Sequence, residues 1–256
     1  MAGLTTDLFS VPQILRGHLS RALEAWTALL HPRAAEPCRQ PAWEHTPWQE
    51  FWGEQYGLDL KRWLLKPVFE KLEAEGKVGD LIVDIGSGAR PVTQFLARRP
   101  GRKRICVDVA ADNRAEGDEQ RVRLNVEKVG DEGALSLRKA LLRASRFLDI
   151  KPREAAAVKG ADLMVCADLL NYVDFRMVLG GFARYLKPGG RMVIVNLPMR
   201  GNQSLFSEKG LKDNRDLCAF FEEQGFVIEQ KAFPCRSRDV TDESEELIVL
   251  VARRAA

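Results

Sequence analysis

From residue 76 onward, short apolar runs alternate with segments of helical periodicity, and this alternation constrains the fold more than any other feature of the chain. Runs that are apolar at nearly every position are typical of strands covered by helices on both faces of a sheet. Strands that alternate with helices predict a parallel, doubly wound α/β sheet. The predicted strands cover residues 80–85, 103–108, 120–125, 161–166, 190–196, 225–232 and 246–253.

Helical patterns fill most of the gaps between these runs. The last two predicted strands are separated by a short segment without a helical pattern, so they are candidates for an antiparallel hairpin that completes a seven-stranded sheet. Asp174 is placed to cap the helix that follows it, because a short acidic side chain satisfies the free N–H groups of a first turn. The predicted helices cover residues 91–99, 133–149, 174–187 and 211–224.

The first 75 residues have a different texture. All five Trp residues of the chain lie there, and residues 11–30 repeat apolar side chains at helical spacing. Residues 31–47 are rich in proline and predict a loop, after which the helical pattern returns up to about residue 75. We therefore expect an N-terminal helical cap over residues 1–75 and a sheet domain over residues 76–256.

Composition excludes several classes of function. The formal net charge is +3 and 45% of the residues are hydrophobic, which argues against disorder and against a nucleic-acid partner. No window approaches the roughly 18 apolar residues of a membrane span, and the first residues lack the pattern of a secretory signal. The five Cys residues are scattered, and no concentrated set of metal ligands is visible. We expect a cytoplasmic protein without a metal, without a membrane or nucleic-acid partner, and monomeric or homodimeric.

A glycine-rich turn, Asp84-Ile85-Gly86-Ser87-Gly88, directly follows the first predicted strand. Glycines let the backbone approach a ligand and turn N–H groups toward an anion. A dinucleotide site would have a third glycine at position 91, where this chain has Pro91. Asp108 ends the second predicted strand, where a carboxylate can accept two hydrogen bonds from a ribose diol.

Four elements together resemble the class I S-adenosylmethionine-dependent methyltransferases. They are the acid-x-Gly-x-Gly turn after strand one, Asp108 after strand two, the turn Lys187-Pro188-Gly189-Gly190 and the pair Gly225-Phe226. The resemblance implies the Rossmann-like fold of this family over residues 76–254. It also implies S-adenosylmethionine as cofactor and a small-molecule methyl acceptor.

Residues 76–96 look more narrowly like the nicotinamide and phenylethanolamine N-methyltransferases. In that group an Asn-Arg pair follows the ribose-binding Asp, as Asn113-Arg114 does here, and an Asp-Val pair corresponds to Asn125-Val126. The chain departs from the group at Arg90, Val92 and Asn125, and it has Asn171 where the phenylethanolamine enzyme has an acidic residue. These departures leave the cofactor prediction in place and weaken an amine as the acceptor.

The resemblance implies a role for each matching residue. Gly86, Ser87 and Gly88 would contact the methionine part of the cofactor, while Asp84 would hold the turn and could receive the ammonium. Arg90 could pair with the cofactor carboxylate or be a solvated cation at a helix start. The remaining implied contacts are Asp108 and Asn113 to the ribose, Asn125 and Val126 to the adenine, and Trp48 and Tyr56 from the aromatic N-terminal segment that would close over the cofactor.

The segment after the fourth predicted strand lies at the carboxyl end of the sheet, where open α/β sheets bind ligands. Asp168, Asn171 and Tyr172 are therefore the candidates for catalytic contact with the methyl acceptor. Tyr172 could instead be a packed aromatic residue, and His45, among the Trp residues, could be a general base or an ordinary loop residue.

Three functions remain open at this point. The leading hypothesis is in-line methyl transfer to a nitrogen or oxygen of a small molecule, for which the protein mainly positions the acceptor and excludes water. The second is an enzyme of the same fold that uses S-adenosylmethionine differently, for example by intramolecular cyclisation with release of methylthioadenosine. The third is a binding module without catalysis, against which the intact glycine turn and Asp108 argue.

Overall fold

The computed structural model describes residues 58–87, 91–108, 119–123, 152–198, 207, 209–234 and 246–255. Its helices are α1 (Leu58–Ala74), α2 (Pro152–Val158), α3 (Phe175–Ala183) and α4 (Asn214–Glu223), with a 3₁₀ helix at Val92–Phe95. Its strands are β1 (Leu81–Ile85), β2 (Lys103–Asp108), β3 (Glu119–Arg123), β4 (Ala161–Ala167), β5 (Leu186–Asn196), β6 (Phe226–Ala232) and β7 (Ile248–Arg254).

The strands form one mixed sheet in the order β3-β2-β1-β4-β5-β7-β6. The first five strands in that order are parallel, whereas β7 runs antiparallel to both β5 and β6. The predicted doubly wound α/β sheet is therefore confirmed, including the antiparallel pairing of the last two strands. The order changes direction between β1 and β4, and such a switch point opens a crevice at the carboxyl ends of the strands.

Alternate residues of the buried strands pack into two separate apolar layers. Val83, Ile105 and Met164 point to one side, where they join α3 and α4 in a core cluster. Ile82, Leu163 and Val193 point to the other side, where they join α1 and the 3₁₀ helix. Because both faces are covered, the central strands need apolar side chains at successive positions, which explains the continuous apolar runs of the sequence.

Helix α1 is the part of the predicted N-terminal cap that the structure describes; residues 1–57, with the predicted helix 11–30, lie outside the described residues. Its apolar face packs on the sheet, with Leu64, Leu65, Val68, Phe69 and Leu72 all buried. Arg102, which directly precedes β2, fixes the end of the helix by pairing with Glu73 and donating to the Gly79 carbonyl. Helix α1 thus forms one of the layers that cover the sheet.

The predicted helix over 91–99 is wrong in length and type, since the structure has the 3₁₀ helix Val92–Phe95 there. The reason lies in the following strand. Arg104 donates to the Leu96 carbonyl at 3.3 Å and Arg102 donates to the Ala97 carbonyl at 2.7 Å. These carbonyls are satisfied by guanidinium groups, and Leu96 is already extended, so no α-helix continues through them.

The Lys187–Gly190 segment is a bulge within β5, and the predicted strand 190–196 begins earlier, at Leu186. Ala161 pairs with Leu186 and Leu163 pairs with Arg191, so the extra residues of β5 loop out of the ladder. Gly189 has a φ of +75° there. A Cβ on Gly190 would lie 2.8 Å from Leu186 Cγ, so this position also requires glycine.

Helices α3 and α4 are shorter than the predicted ranges 174–187 and 211–224. Asp174 is the N-cap of α3 as predicted, and its side chain accepts from the N–H of Met177 at 3.1 Å. Helix α3 ends at Ala183, whose carbonyl accepts from Arg254 at 3.1 Å. The predicted helix 133–149 lies outside the described residues, and among the helices described, none has the length and apolar character of a membrane span.

Candidate active site at the carboxyl edge of the sheet

The glycine turn after β1 is tied to the neighbouring strand β2. The N–H groups of Gly86 and Ser87 both donate to the Val107 carbonyl, at 2.8 and 3.3 Å. Gly86 has a φ of +69°, and a Cβ at this position would lie 3.0 Å from Leu169 Cδ2, in the loop after β4. The turn therefore needs glycine for its conformation and for its close approach to that loop. Gly88 and Arg90 lie outside the described residues.

Asp84 is the buried acidic residue that precedes the turn. Its Oδ2 accepts from the Thr93 backbone N–H at 2.9 Å and from Thr93 Oγ1 at 3.0 Å. Asp84 is only 2% exposed, so these hydrogen bonds compensate for burying its charge. The carboxylate fastens the start of the 3₁₀ helix to β1, across the segment that contains the turn.

Asp108 is the last residue of β2, and it is buried beside the turn. The register pairs Ile85 with Val107, which brings Gly86 level with Asp108 at adjacent strand ends. The oxygens of a buried carboxylate next to a glycine turn can accept hydrogen bonds from the hydroxyl groups of a ligand. The other residues predicted to contact the cofactor lie outside the described residues. They are Trp48, Tyr56, Asn113, Asn125 and Val126. Trp43, Trp52 and His45 also lie outside the described residues.

Asp168 begins the loop after β4 in an unusual backbone conformation. Its φ is +56°, and it is the one residue other than glycine, among those described, with a positive φ. Its N–H donates to the Val195 carbonyl at 2.9 Å, which ties the loop to β5. Its Oδ2 lies 3.1 Å from Lys61 Nζ of α1, and the two side chains are only 10% and 17% exposed.

Asn171 is held in a hydrogen-bond network that fixes the same loop. Its Oδ1 accepts from Asn196 Nδ2 at 3.0 Å, and its Nδ2 donates to the Leu197 carbonyl at 2.8 Å. Asn196 Oδ1 in turn accepts from the Leu170 N–H at 3.2 Å. Asn171 is 3% exposed, so its amide anchors the loop to the end of β5. Tyr172 follows it in the chain and is also buried.

Lys61 and Asn196 are site residues that the sequence analysis missed. Asn196 carries a signal that could have found it, because it is a polar residue at the end of an apolar strand, as Asp108 is. Lys61 carries no such signal, since it is one of several cations on an amphipathic helix. Only the packing of α1 on the sheet brings it to Asp168.

Cys166 lies in β4, just before the loop, and is completely buried. Burial raises the pKa of its thiol far above the ordinary value, and the nearby charges of Asp84 and Asp168 raise it further. The thiolate is the nucleophilic form of cysteine, so Cys166 acts here as a small apolar core residue.

The chain matches no protein-family model and no curated protein sequence. It is similar in structure to the CurJ carbon methyltransferase, with 15% identity, a TM-score of 0.54 and coverage of 96% of this chain and 72% of that one. It also resembles the magnesium protoporphyrin IX methyltransferase of Synechocystis PCC 6803 with bound S-adenosylmethionine, with 15% identity, a TM-score of 0.43 and coverage of 99% and 100%.

A third similar structure is the N-methyltransferase NodS of Bradyrhizobium japonicum WM9 in complex with S-adenosylhomocysteine. It has 13% identity and a TM-score of 0.49, with coverage of 91% of this chain and 99% of that one. Identities this low bear on the fold alone, and the fold comparison depends on CurJ, for which the TM-score exceeds 0.5. The chain therefore has the same fold as the CurJ carbon methyltransferase.

Proposed function

We propose that the protein is an S-adenosylmethionine-dependent methyltransferase that acts on a nitrogen or oxygen of a small molecule. The observation that carries the proposal is the pair of strand ends at the switch point. Gly86, in a turn that only glycine fits, lies level with the buried carboxylate of Asp108. The pair would face a ligand that combines a compact polar group with a ribose diol.

The donors and acceptors at this edge fit S-adenosylmethionine. The Asp108 carboxylate can accept from both ribose hydroxyls. Since the N–H groups of Gly86 and Ser87 are used by Val107, we expect the turn to meet the methionine ammonium through carbonyl oxygens. Asp84 would act indirectly, by holding the turn through Thr93. This revises the sequence-based expectation that N–H groups of the turn bind an anion.

The remaining contacts of the proposal belong to residues that the structure does not describe. Arg90 would pair with the cofactor carboxylate, Asn113 would share the ribose, and Asn125 and Val126 would border the adenine. Trp48 and Tyr56 would cover the cofactor from the N-terminal segment. The motif likeness to the nicotinamide and phenylethanolamine N-methyltransferases supports the assignments of Asn113, Val126 and the aromatic segment. Arg90 and Asn125 depart from that group, and their assignments depend on the charge of the guanidinium and the acceptor of the amide. We further propose that the protein is cytoplasmic and works as a monomer or homodimer.

S-Adenosylmethionine would supply an activated methyl group, so the protein's task is to position the acceptor and exclude water. The loop after β4 is placed for this, because it borders the switch point. Asn171 and Tyr172 are buried there, and we assign them to holding and lining the loop. Asp168 carries the carboxylate that would orient the N–H or O–H of the acceptor and take its proton.

The test is to incubate the full chain with S-adenosylmethionine and a panel of small amines, phenols and carboxylic acids. We expect S-adenosylhomocysteine and a methylated acceptor in equal amounts, identified by mass spectrometry. Asp108→Ala serves as a control, since at a low concentration of S-adenosylmethionine it should form product much more slowly than the wild type, and an equal rate would point to a contaminating enzyme. Release of methylthioadenosine without a methylated product would contradict methyl transfer and favour the cyclisation alternative.

A further inference from the structure

The ion pair of Lys61 and Asp168 joins α1 to the loop after β4. Its two side chains are 17% and 10% exposed, and the charged atoms are 3.1 Å apart. Another ion pair on the same helix, Lys66 with Glu70, is 3.6 Å long and its side chains are 52% and 66% exposed. The Lys61 pair therefore interacts through a medium that screens charge less than water does.

Two features indicate that this pair does more than stabilise the fold. Removing two charges from water costs free energy that their mutual attraction does not always offset. Asp168 also has a φ of +56°, in the left-handed region that residues with a side chain seldom adopt, Asp and Asn being the most frequent of them. Strain and charge that occur together at a ligand-binding edge are typical of functional positions.

The pair borders the crevice proposed for S-adenosylmethionine. In the register of β1 with β4, Ile85 pairs with Cys166, so the turn at Gly86 adjoins the start of the β4 loop. Leu169, the neighbour of Asp168, lies within contact distance of the Cβ position of Gly86. A change in net charge at Asp168 therefore changes the electrostatic potential at a ligand bound to the turn.

We propose that Lys61 is a positioning residue that sets the charge of the site by balancing Asp168. S-Adenosylmethionine has a sulfonium cation, whereas S-adenosylhomocysteine has a neutral thioether at the same place. A carboxylate without a balancing cation would attract the sulfonium and so stabilise bound S-adenosylmethionine before transfer. This attraction would be lost as the methyl group leaves and the sulfur becomes neutral. Such ground-state stabilisation slows a reaction, and Lys61 offsets it while holding Asp168 in place. This inference depends on the function proposed above.

The test measures the affinities of the full chain for S-adenosylmethionine and S-adenosylhomocysteine by calorimetry at low salt. The ratio of the first affinity to the second is the preference for S-adenosylmethionine. Lys61→Met should raise the preference for S-adenosylmethionine about three- to tenfold, because Asp168 then attracts the sulfonium without compensation. Asp168→Asn should lower the preference by a similar factor, because Lys61 then repels it. The double variant and Lys61→Arg, which preserves the charge, should both restore the wild-type ratio.

Lys66→Met is the matched control, since it removes the same charge from the exposed face of the same helix and should leave the ratio unchanged. If the pair had only a structural role, Lys61→Met and Asp168→Asn would weaken the binding of both ligands equally. The ratio of the two affinities would then be unchanged, which would overturn the inference but not the proposed function. A wild-type protein that binds neither ligand would overturn the proposed function and the inference together. If Lys61→Met fails to fold, Asp168→Asn decides the question by the same ratio.

Discussion

The carboxylate of Asp84 accepts two hydrogen bonds from Thr93, one from the backbone N–H at 2.9 Å and one from Oγ1 at 3.0 Å. Asp84 lies in β1 before the glycine turn, and Thr93 lies in the 3₁₀ helix after it. The pair therefore clamps both ends of the segment that would bind the methionine part of S-adenosylmethionine. Both residues are buried, so water does not readily replace either hydrogen bond.

Thr93→Val tests this clamp, because it keeps the shape of the side chain and removes the hydroxyl. We expect the free energy of unfolding to fall by about 1–3 kcal/mol, since a buried carboxylate loses one of its donors. The measurement is a urea titration followed by circular dichroism. Thr93→Ser keeps the hydroxyl and should lose less stability than Thr93→Val. Equal losses in the two variants would mean that the Oγ1 hydrogen bond contributes no more than the buried methyl group that Ser lacks.

Gly86→Ala tests whether the turn requires glycine for contact as well as conformation. The variant combines a positive φ of +69° with a Cβ 3.0 Å from Leu169 Cδ2. Gly101→Ala is the matched control, since its φ is +82° and no heavy atom lies within 4 Å of its Cβ position.

We expect Gly101→Ala to cost about 1–2 kcal/mol, the conformational penalty alone, and to leave the affinity for S-adenosylmethionine unchanged. Gly86→Ala should cost more and should also weaken that affinity, because the turn must move away from Leu169. Urea titration and calorimetry give the two quantities. The same loss of stability and the same affinity in both variants would show that the close approach to Leu169 is unimportant.

Asp162 lies near the start of β4, at the opposite end of the strands from the proposed site. Its contacts predict that the stability of the fold depends on pH. Its Oδ2 accepts from the N–H groups of Asp80 and Leu81 at 2.9 and 2.8 Å, and its Oδ1 pairs with Lys187. Burial alone would raise the pKa of Asp162, but Lys187 and the two N–H groups hold it below its ordinary value. The folded state therefore favours the ionised form.

The contribution of Asp162 is fully present above its unfolded pKa, about 3.9, and is lost as the pH falls through the lower folded value. At pH 7, Asp162→Asn should cost about 1 kcal/mol or less, because solvent partly screens the pair. Below pH 4 the unfolding free energies of wild type and variant should converge. Urea titrations at a series of pH values measure this, and a difference that is constant down to pH 2 would contradict the assignment.

The fold was largely predictable because its main signals are local. Apolar runs located the strands, and their alternation with helical patterns predicted the doubly wound sheet. Asp108 and Asp174 were correctly placed at a strand end and a helix start because each position has a simple chemical requirement. The glycine turn was recognisable since the conformation of Gly86 excludes other residues.

The features that sequence reasoning missed depend on residues that are distant in the chain. Arg102 and Arg104 bind the carbonyls that a helix over 91–99 would have used. Lys61 reaches Asp168 only because α1 packs on the sheet, and Asn171 is occupied by Asn196 at the end of another strand. Local periodicity contains no information about such partners, so neither the ion pair nor the hydrogen bond between the two amides could be predicted.

Calorimetric titration of S-adenosylmethionine into the wild type, Asp108→Ala and Asp80→Ala tests the central claim most directly. Asp80 is an exposed carboxylate at the opposite end of the sheet, so its variant controls for the loss of one negative charge. We predict binding at one site per chain, unchanged in Asp80→Ala and weakened about 10- to 100-fold in Asp108→Ala, as expected for lost hydrogen bonds to a charged group. A wild type that does not bind, or an Asp108→Ala variant that binds as the wild type does, would contradict the account.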